Sequence, residues 1–160
     1  MKEPKQDKKS HSKPIYMQKI KTALLSYGMS GKVFHAPFLD LHSGFEITGA
    51  WERSKRLIQS DFPEVKSYAT LEALLQDDCD LVIVNTPVGT HYEYAKQVLL
   101  AGKHAIVEKA FTTTVAEAQE LAALANEKGL QLAVFQNRRW DSDFKTIQKI
   151  LQDKILGDIV

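Results

Sequence analysis

The sequence is short of several things, and each shortage excludes a class of function. It has a single cysteine, Cys79, so no disulfide framework within the chain exists. A reducing cytoplasm is the expected location. Cys79 sits between Asp78 and Asp80, and neighbouring carboxylates raise a thiol's pKa, which suits a structural cysteine better than a nucleophile. No apolar run approaches the roughly 20 residues that span a bilayer; Leu81 to Val84 is typical of the longest. Charge of one sign is also missing: 21 basic and 20 acidic side chains leave +1. Neither a nucleic-acid nor a membrane partner is expected from that balance. His35, His42, His91 and His104 are isolated, without metal-ligand spacing, so no metal site is expected. There is no G-x-x-x-x-G-K-[ST] phosphate loop and no G-x-S-x-G nucleophile elbow.

What is present is an ordinary globular composition, 44% hydrophobic and 26% charged, at a length of 160 residues. The segment 1–18 stands apart. From Lys2 to Lys13 it carries five lysines, two acids and no aliphatic or aromatic residue, and reads as a disordered basic tail. No apolar stretch of the kind found in secretory signals follows it.

Beyond Lys19, strand and helix signals alternate. Strands are expected at Ile20 to Ser26, Phe45 to Trp51, Val65 to Tyr68, Asp80 to Asn85, His104 to Glu108 and Leu130 to Gln136. Helices are expected at Gly31 to Leu41, from a Ser54 cap to Asp61, over Thr70 to Leu75, Thr90 to Leu100 and Thr114 to Lys128, and from an Asp141 cap through Leu151. Gly102 and Gly129 fall where helix-closing glycines belong. The unbroken run Leu81-Val82-Ile83-Val84 suits a central parallel strand buried on both faces. This alternation predicts a doubly wound, mostly parallel α/β sheet of the Rossmann kind. Residues 19–140 form the expected dinucleotide-binding domain. Residues 141–160 read as a linker helix and the start of a truncated C-terminal domain, because Gly157-Asp158-Ile159-Val160 resembles a strand beginning.

Chemistry concentrates at the ends of those strands. Ser26-Tyr27-Gly28-Met29-Ser30-Gly31 lies where the first strand turns into the first helix, the place where a dinucleotide pyrophosphate rests on unpaired backbone N–H groups. Gly28 admits the phosphate and Gly31 lets helix and strand pack closely. Ser26 stands at the first glycine of G-x-G-x-x-G, so the fingerprint is incomplete. Glu52 follows Gly28 by 24 positions, where an acid commonly takes the ribose hydroxyls of NAD. Arg53, Ser54 and Lys55 come next and suit the extra phosphate of NADP. The signals conflict unless the carboxylate turns away and the basic pair faces the ligand. The balance leans to NADP, with NAD open. Asn85, Thr86 and Pro87, with His91 a few residues on, are placed to line the nicotinamide side. Glu108 and Lys109 end the fifth strand. Lys109 suits a developing alkoxide, and Glu108 is expected to keep that lysine charged or to orient it. His35 reads as a packing residue.

Taken in order, Tyr27-Gly28-Met29-Ser30-Gly31 with Phe34-His35-Ala36-Pro37, Asn85-Thr86-Pro87 with His91, and Gly102-Lys103-His104 leading into Glu108-Lys109 resemble the N-terminal half of the Gfo/Idh/MocA oxidoreductases. Asn137-Arg138-Arg139-Trp140 with Asp143-Phe144 is similar to that family's interdomain segment. The resemblance implies NAD(P)-linked oxidation or reduction of a sugar, cyclic polyol or related carbonyl, with Lys109 as the motif lysine. It adds Arg139 and Trp140 to the cofactor-binding candidates. It also implies a C-terminal domain that holds the substrate and forms a homo-oligomer interface. Ala110 stands where the family's Glu-Lys-Pro motif has proline. A non-proline cis peptide costs ~3–4 kcal/mol, so a trans Lys109–Ala110 bond is expected. A non-catalytic NAD(P) sensor is the alternative reading of the same residues.

Overall fold

The computed structural model describes residues 18–52 and 55–158. The expectations for the 1–18 tail, for Arg53 and Ser54, and for a strand reaching Ile159 and Val160 fall wholly or mostly outside the described residues.

Six strands form one sheet: β1 (Ile20–Leu24), β2 (Phe45–Trp51), β3 (Lys66–Tyr68), β4 (Leu81–Val84), β5 (His104–Glu108) and β6 (Leu132–Phe135). Their order is β3-β2-β1-β4-β5-β6 and every neighbouring pair is parallel. Winding runs outward from β1 to β3, then restarts at β4 on the other side of β1. The direction therefore reverses between β1 and β4, which is where such sheets open a crevice at their carboxyl edge.

Side-chain alternation divides the core between the two faces. Ala23 and Leu25 of the first strand region, with Val82, Val84 and Val107, pack beneath α3 (Leu71–Gln76), α4 (His91–Leu100) and α5 (Val115–Glu127). Leu24 points the other way and packs with Tyr27, Ala36, Ala50 and Ile58 under α1 (Ala36–Leu41) and α2 (Ile58–Asp61). All four residues of β4 are buried, as its apolar run predicts. Each such valine or leucine contributes about 1.5–3 kcal/mol through burial.

Local chemistry sets the helix ends. Thr70 accepts from the Ala73 N–H at 3.2 Å, and Thr114 with Glu117 forms a reciprocal capping box on α5. Gly102 and Gly129 take φ of 75° and 65°, closing α4 and α5 as expected. Elsewhere the elements differ from the sequence reading. The helix expected over Gly31 to Leu41 begins as a wide π-type turn, Gly31–His35, before α1. Pro37 has no N–H for the Val33 carbonyl, and the Ala36 N–H reaches back to the Gly31 oxygen instead. Helix α4 is preceded by a single 3₁₀ turn, Val88–Thr90. Helix α6 (Ser142–Gln152) starts at Asp141 as expected, but the Asp141 side chain makes no cap bond and pairs with Arg138 at 2.9 Å. Phe144, Ile147 and Leu151 leave its apolar side exposed. Among the described residues, no helix is long and apolar enough to cross a membrane.

Candidate functional site

The turn after β1 is held by its own side chains. The Gly28 N–H donates to Ser26 Oγ at 3.2 Å, so the serine at the first fingerprint position braces the turn. A Cβ at Gly31 would lie 2.4 Å from the Ser26 carbonyl oxygen, a backbone atom that cannot give way. A Cβ at Gly28 would meet nothing closer than Ser26 Oγ at 3.5 Å. Gly31 is thus required by strand–helix packing, whereas Gly28 leaves room above the turn. Met29 is exposed beside it.

Tyr27 turns inward. Its ring is 3% exposed and meets Phe62 edge-on, and its hydroxyl donates to Asp61 Oδ2 at 2.9 Å. Burial, then the Asp61 carboxylate, hold the phenol well above its ordinary range. Lys32 pairs with the same carboxylate at 2.8 Å. Tyr27 therefore buttresses the turn from below.

Across the switch point, Asn85 follows β4 and is buried. Its Nδ2 donates to the Ser26 oxygen at 2.8 Å and to Ser30 Oγ at 3.2 Å. Oδ1 has no hydrogen-bond partner among the described residues. At the end of β2, Glu52 borders a cleft with Ser26, Gly28, Lys55, Thr86 and Thr90. Trp51 and Tyr94, neither singled out from the sequence, complete its wall, ring to ring at 5.3 Å.

At the end of β5 the expected partners are exchanged. The Glu108 carboxylate does not reach the Lys109 ammonium. Oε1 lies 3.0 Å from Nε2 of the buried His35, and Oε2 accepts the Lys109 backbone N–H at 3.2 Å. His35 comes from the π-type turn and packs against Phe135, with ring centres 4.4 Å apart. Burial, only partly opposed by Glu108, lowers its pKa from the usual histidine value. The Lys109 side chain is exposed and makes no ion pair among the described residues. Its peptide bond to Ala110 is cis, against the trans geometry expected from the alanine.

His91 is also corrected. It was expected to line the nicotinamide side, yet it is 1% exposed and both ring nitrogens face carbonyl oxygens, Ala110 at 2.8 Å and Thr86 at 2.7 Å. It joins the carboxyl ends of β4 and β5 from within the core. Sequence spacing placed it near the edge but could not tell inward from outward.

A second cleft lies on the β5 side of the turn, bounded by Gly28, Asn85, Lys109, Phe135, Asn137 and Arg138. Ser26, Gly28, Thr86 and Pro87 border both clefts. The two clefts therefore lie on either side of the fingerprint turn, one toward β2 and the other toward β6. Arg139 and Trp140 border neither. Asn137–Trp140 is one 3₁₀ turn with about three residues per turn, so Asn137 and Arg138 face the cleft while the next two rotate away.

The chain is similar to known oxidoreductases. An uncharacterized oxidoreductase of Schizosaccharomyces pombe is 46% identical over 150 residues, covering 90% of this chain and 41% of the relative. The scyllo-inositol 2-dehydrogenase (NADP(+)) IolW of Bacillus subtilis is 42% identical over 88% of this chain and 39% of its own length. Among solved structures, an oxidoreductase from Bacillus cereus superposes with a TM-score of 0.81 at 35% identity, covering 88% of this chain and 41% of that one. GenD2 from gentamicin A biosynthesis, solved in complex with NAD, gives 0.80 at 28% identity, covering 88% and 41%. The chain thus spans about two fifths of the length of the curated relatives it matches. The family model for the oxidoreductase family's NAD-binding Rossmann fold matches residues 20–136. A parallel sheet that reverses between β1 and β4, with its glycine turn at the reversal, is the cofactor domain of that family, and this chain belongs to the Gfo/Idh/MocA oxidoreductases.

Proposed function

We propose that this chain is the cofactor-binding part of an NAD(P)-dependent oxidoreductase that acts on a CH–OH group of a sugar or cyclic polyol. The observation that carries the reading is the pair of adjoining clefts at the sheet's carboxyl edge, both bordered by Gly28 and one of them by Lys109. The name of the 42% identical relative supports a cyclic polyol as the substrate. Substrate contacts from a C-terminal domain following the linker 141–160, homo-oligomerisation through that domain and a cytoplasmic location belong to the same proposal.

When bound, the nicotinamide ring supplies the site for hydride gain or loss. The chain's own residues do the rest. Backbone N–H groups of Met29 to Gly31 would receive the pyrophosphate, with Asn85 fixing the turn that presents them. Asn137 and Arg138 bound the far side of the cleft. The Lys109 ammonium, which pairs with no carboxylate among the described residues, steadies negative charge developing on the substrate oxygen. Glu108 and His91 hold the backbone on either side of that lysine.

Calorimetric titration of the chain with NADH and NADPH tests the cofactor part. Binding of at least one is expected, and binding of neither would falsify the reading. For the chemistry, Lys109→Ala in the full-length protein should lower kcat on a polyol substrate by about 10²–10³-fold, with cofactor affinity little changed. Turnover equal to wild type removes Lys109 from the mechanism.

A further inference from the structure

Glu108 has a cation as its chain neighbour and does not pair with it. Its carboxylate instead takes the His35 imidazole on Oε1 at 3.0 Å and the Lys109 backbone N–H on Oε2 at 3.2 Å. A carboxylate only accepts, so Nε2 of His35 carries the proton and is the donor. The imidazole side chain is 3% exposed and that of Glu108 14%. Burial holds the His35 pKa below the usual histidine value, so near neutral pH the ring donates without bringing a charge. The carboxylate is thus met by hydrogen bonds alone, while the Lys109 side chain stands exposed without an ion pair among the described residues.

The ring is fixed from three directions. His35 ends the π-type turn Gly31–His35 that continues from the fingerprint turn, packs on Phe135 of β6 at 4.4 Å, and reaches the end of β5 through Nε2. It does not border the cleft on the β5 side, whereas Phe34, Glu108 and Lys109 do. Packing alone does not call for such a pair, because apolar side chains of similar volume are often as stable in the same space. What the pair does is decide which way the carboxylate turns. Without His35, a mostly buried carboxylate oxygen would lack its donor, which is costly. The cation free to supply one at this cleft is Lys109, since Arg138, the other that borders it, is paired with Asp141 at 2.9 Å.

Resting on the function proposed above, we infer that His35 is a positioning residue whose ring N–H holds the Glu108 carboxylate off the Lys109 ammonium, keeping that ammonium free to face a substrate oxygen. It acts through Glu108 and from behind the cleft.

The test reads the lysine directly. Acetylation of the chain with N-hydroxysuccinimide acetate, followed by peptide mass spectrometry, gives the rate at Lys109 relative to the exposed Lys128. An ammonium paired with a carboxylate yields its proton less readily, and only the free amine is acylated. His35→Ala should slow Lys109 about tenfold against that reference. His35→Gln, whose amide can donate to Glu108, should restore the wild-type rate, and so should Glu108→Gln added to His35→Ala. In the full-length protein, His35→Ala should lower kcat on a polyol by about tenfold while the KM for the dinucleotide stays within about threefold, and His35→Gln should recover it. A purely structural role would lower the melting temperature of His35→Ala without slowing Lys109. An unchanged Lys109 rate in folded His35→Ala overturns the inference and leaves the cofactor reading intact. Slowed acetylation with wild-type kcat upholds the arrangement and overturns the part that the proposed function gives Lys109. Should His35→Ala fail to fold, Glu108→Gln alone decides. A carboxylate already turned away predicts a Lys109 rate within about threefold of wild type, and a larger acceleration overturns the inference.

Discussion

Asn85 Nδ2 donates to the backbone oxygen of Ser26 at 2.8 Å, across 59 residues of sequence. The bond spans the point where the sheet's winding reverses and ties the end of β4 to the fingerprint turn. The Ser26 oxygen can only accept, so the orientation of the Asn85 amide is fixed by its partner.

Asn85→Asp replaces that donor with a carboxylate facing a carbonyl oxygen. Stability should fall by about 2 kcal/mol, since a buried polar atom loses its partner and meets a like charge. Dinucleotide affinity should fall at least about tenfold, because the pyrophosphate site loses its support and gains a negative charge. Urea unfolding and calorimetric titration read the two effects. Wild-type values in both would remove Asn85 from the site.

The two fingerprint glycines should separate cleanly. Gly31→Ala drives a Cβ to 2.4 Å from the Ser26 oxygen, and overpacking of this kind costs about 1–3 kcal/mol or more. Gly28→Ala meets only Ser26 Oγ at 3.5 Å and should melt near wild type, yet bind NAD(P)H more weakly because its methyl group occupies the ligand's approach. Equal melting temperatures for the two variants would contradict the packing argument.

His35 predicts a pH dependence. Burial lowers its pKa in the folded chain, so on acidification the unfolded chain takes up this proton first. Its contribution is present above the ordinary histidine value of about 6.5 and is lost as pH falls below that toward the folded value. Urea midpoints should therefore decline between about pH 7 and pH 5, before most carboxylates titrate. His35→Gln, which can still bond Glu108, should flatten that decline. A decline of equal size in the variant assigns it to another group.

His91 should matter for stability more than its place near the cleft suggests. His91→Ala removes the imidazole that faces the Ala110 and Thr86 carbonyl oxygens and opens a cavity where a side chain only 1% exposed had been. A loss of about 2–4 kcal/mol is expected. His91→Gln should recover part of it. Were chemical denaturation to show less than 1 kcal/mol lost, the pinning of Thr86 to Ala110 would be unimportant.

The sequence by itself determined the alternation of strands and helices, the central burial of Leu81 to Val84, the threonine caps and the glycine turn at the first strand's end. These are legible because side-chain periodicity and backbone conformational limits act over a few residues. It also placed Asn85 and Lys109 at the same edge. Only the tertiary structure decided what the charged and polar groups there do. Glu108 turned to His35, 73 residues away, and not to its neighbour Lys109. Glu52 took the backbone of Leu57 and the hydroxyl of Ser67, and His91 faced inward. A carboxylate or imidazole satisfies the nearest unpaired donor or acceptor in space, and a buried one must be satisfied. Which donor is nearest is set by how the elements pack, and that is written in no short stretch of sequence.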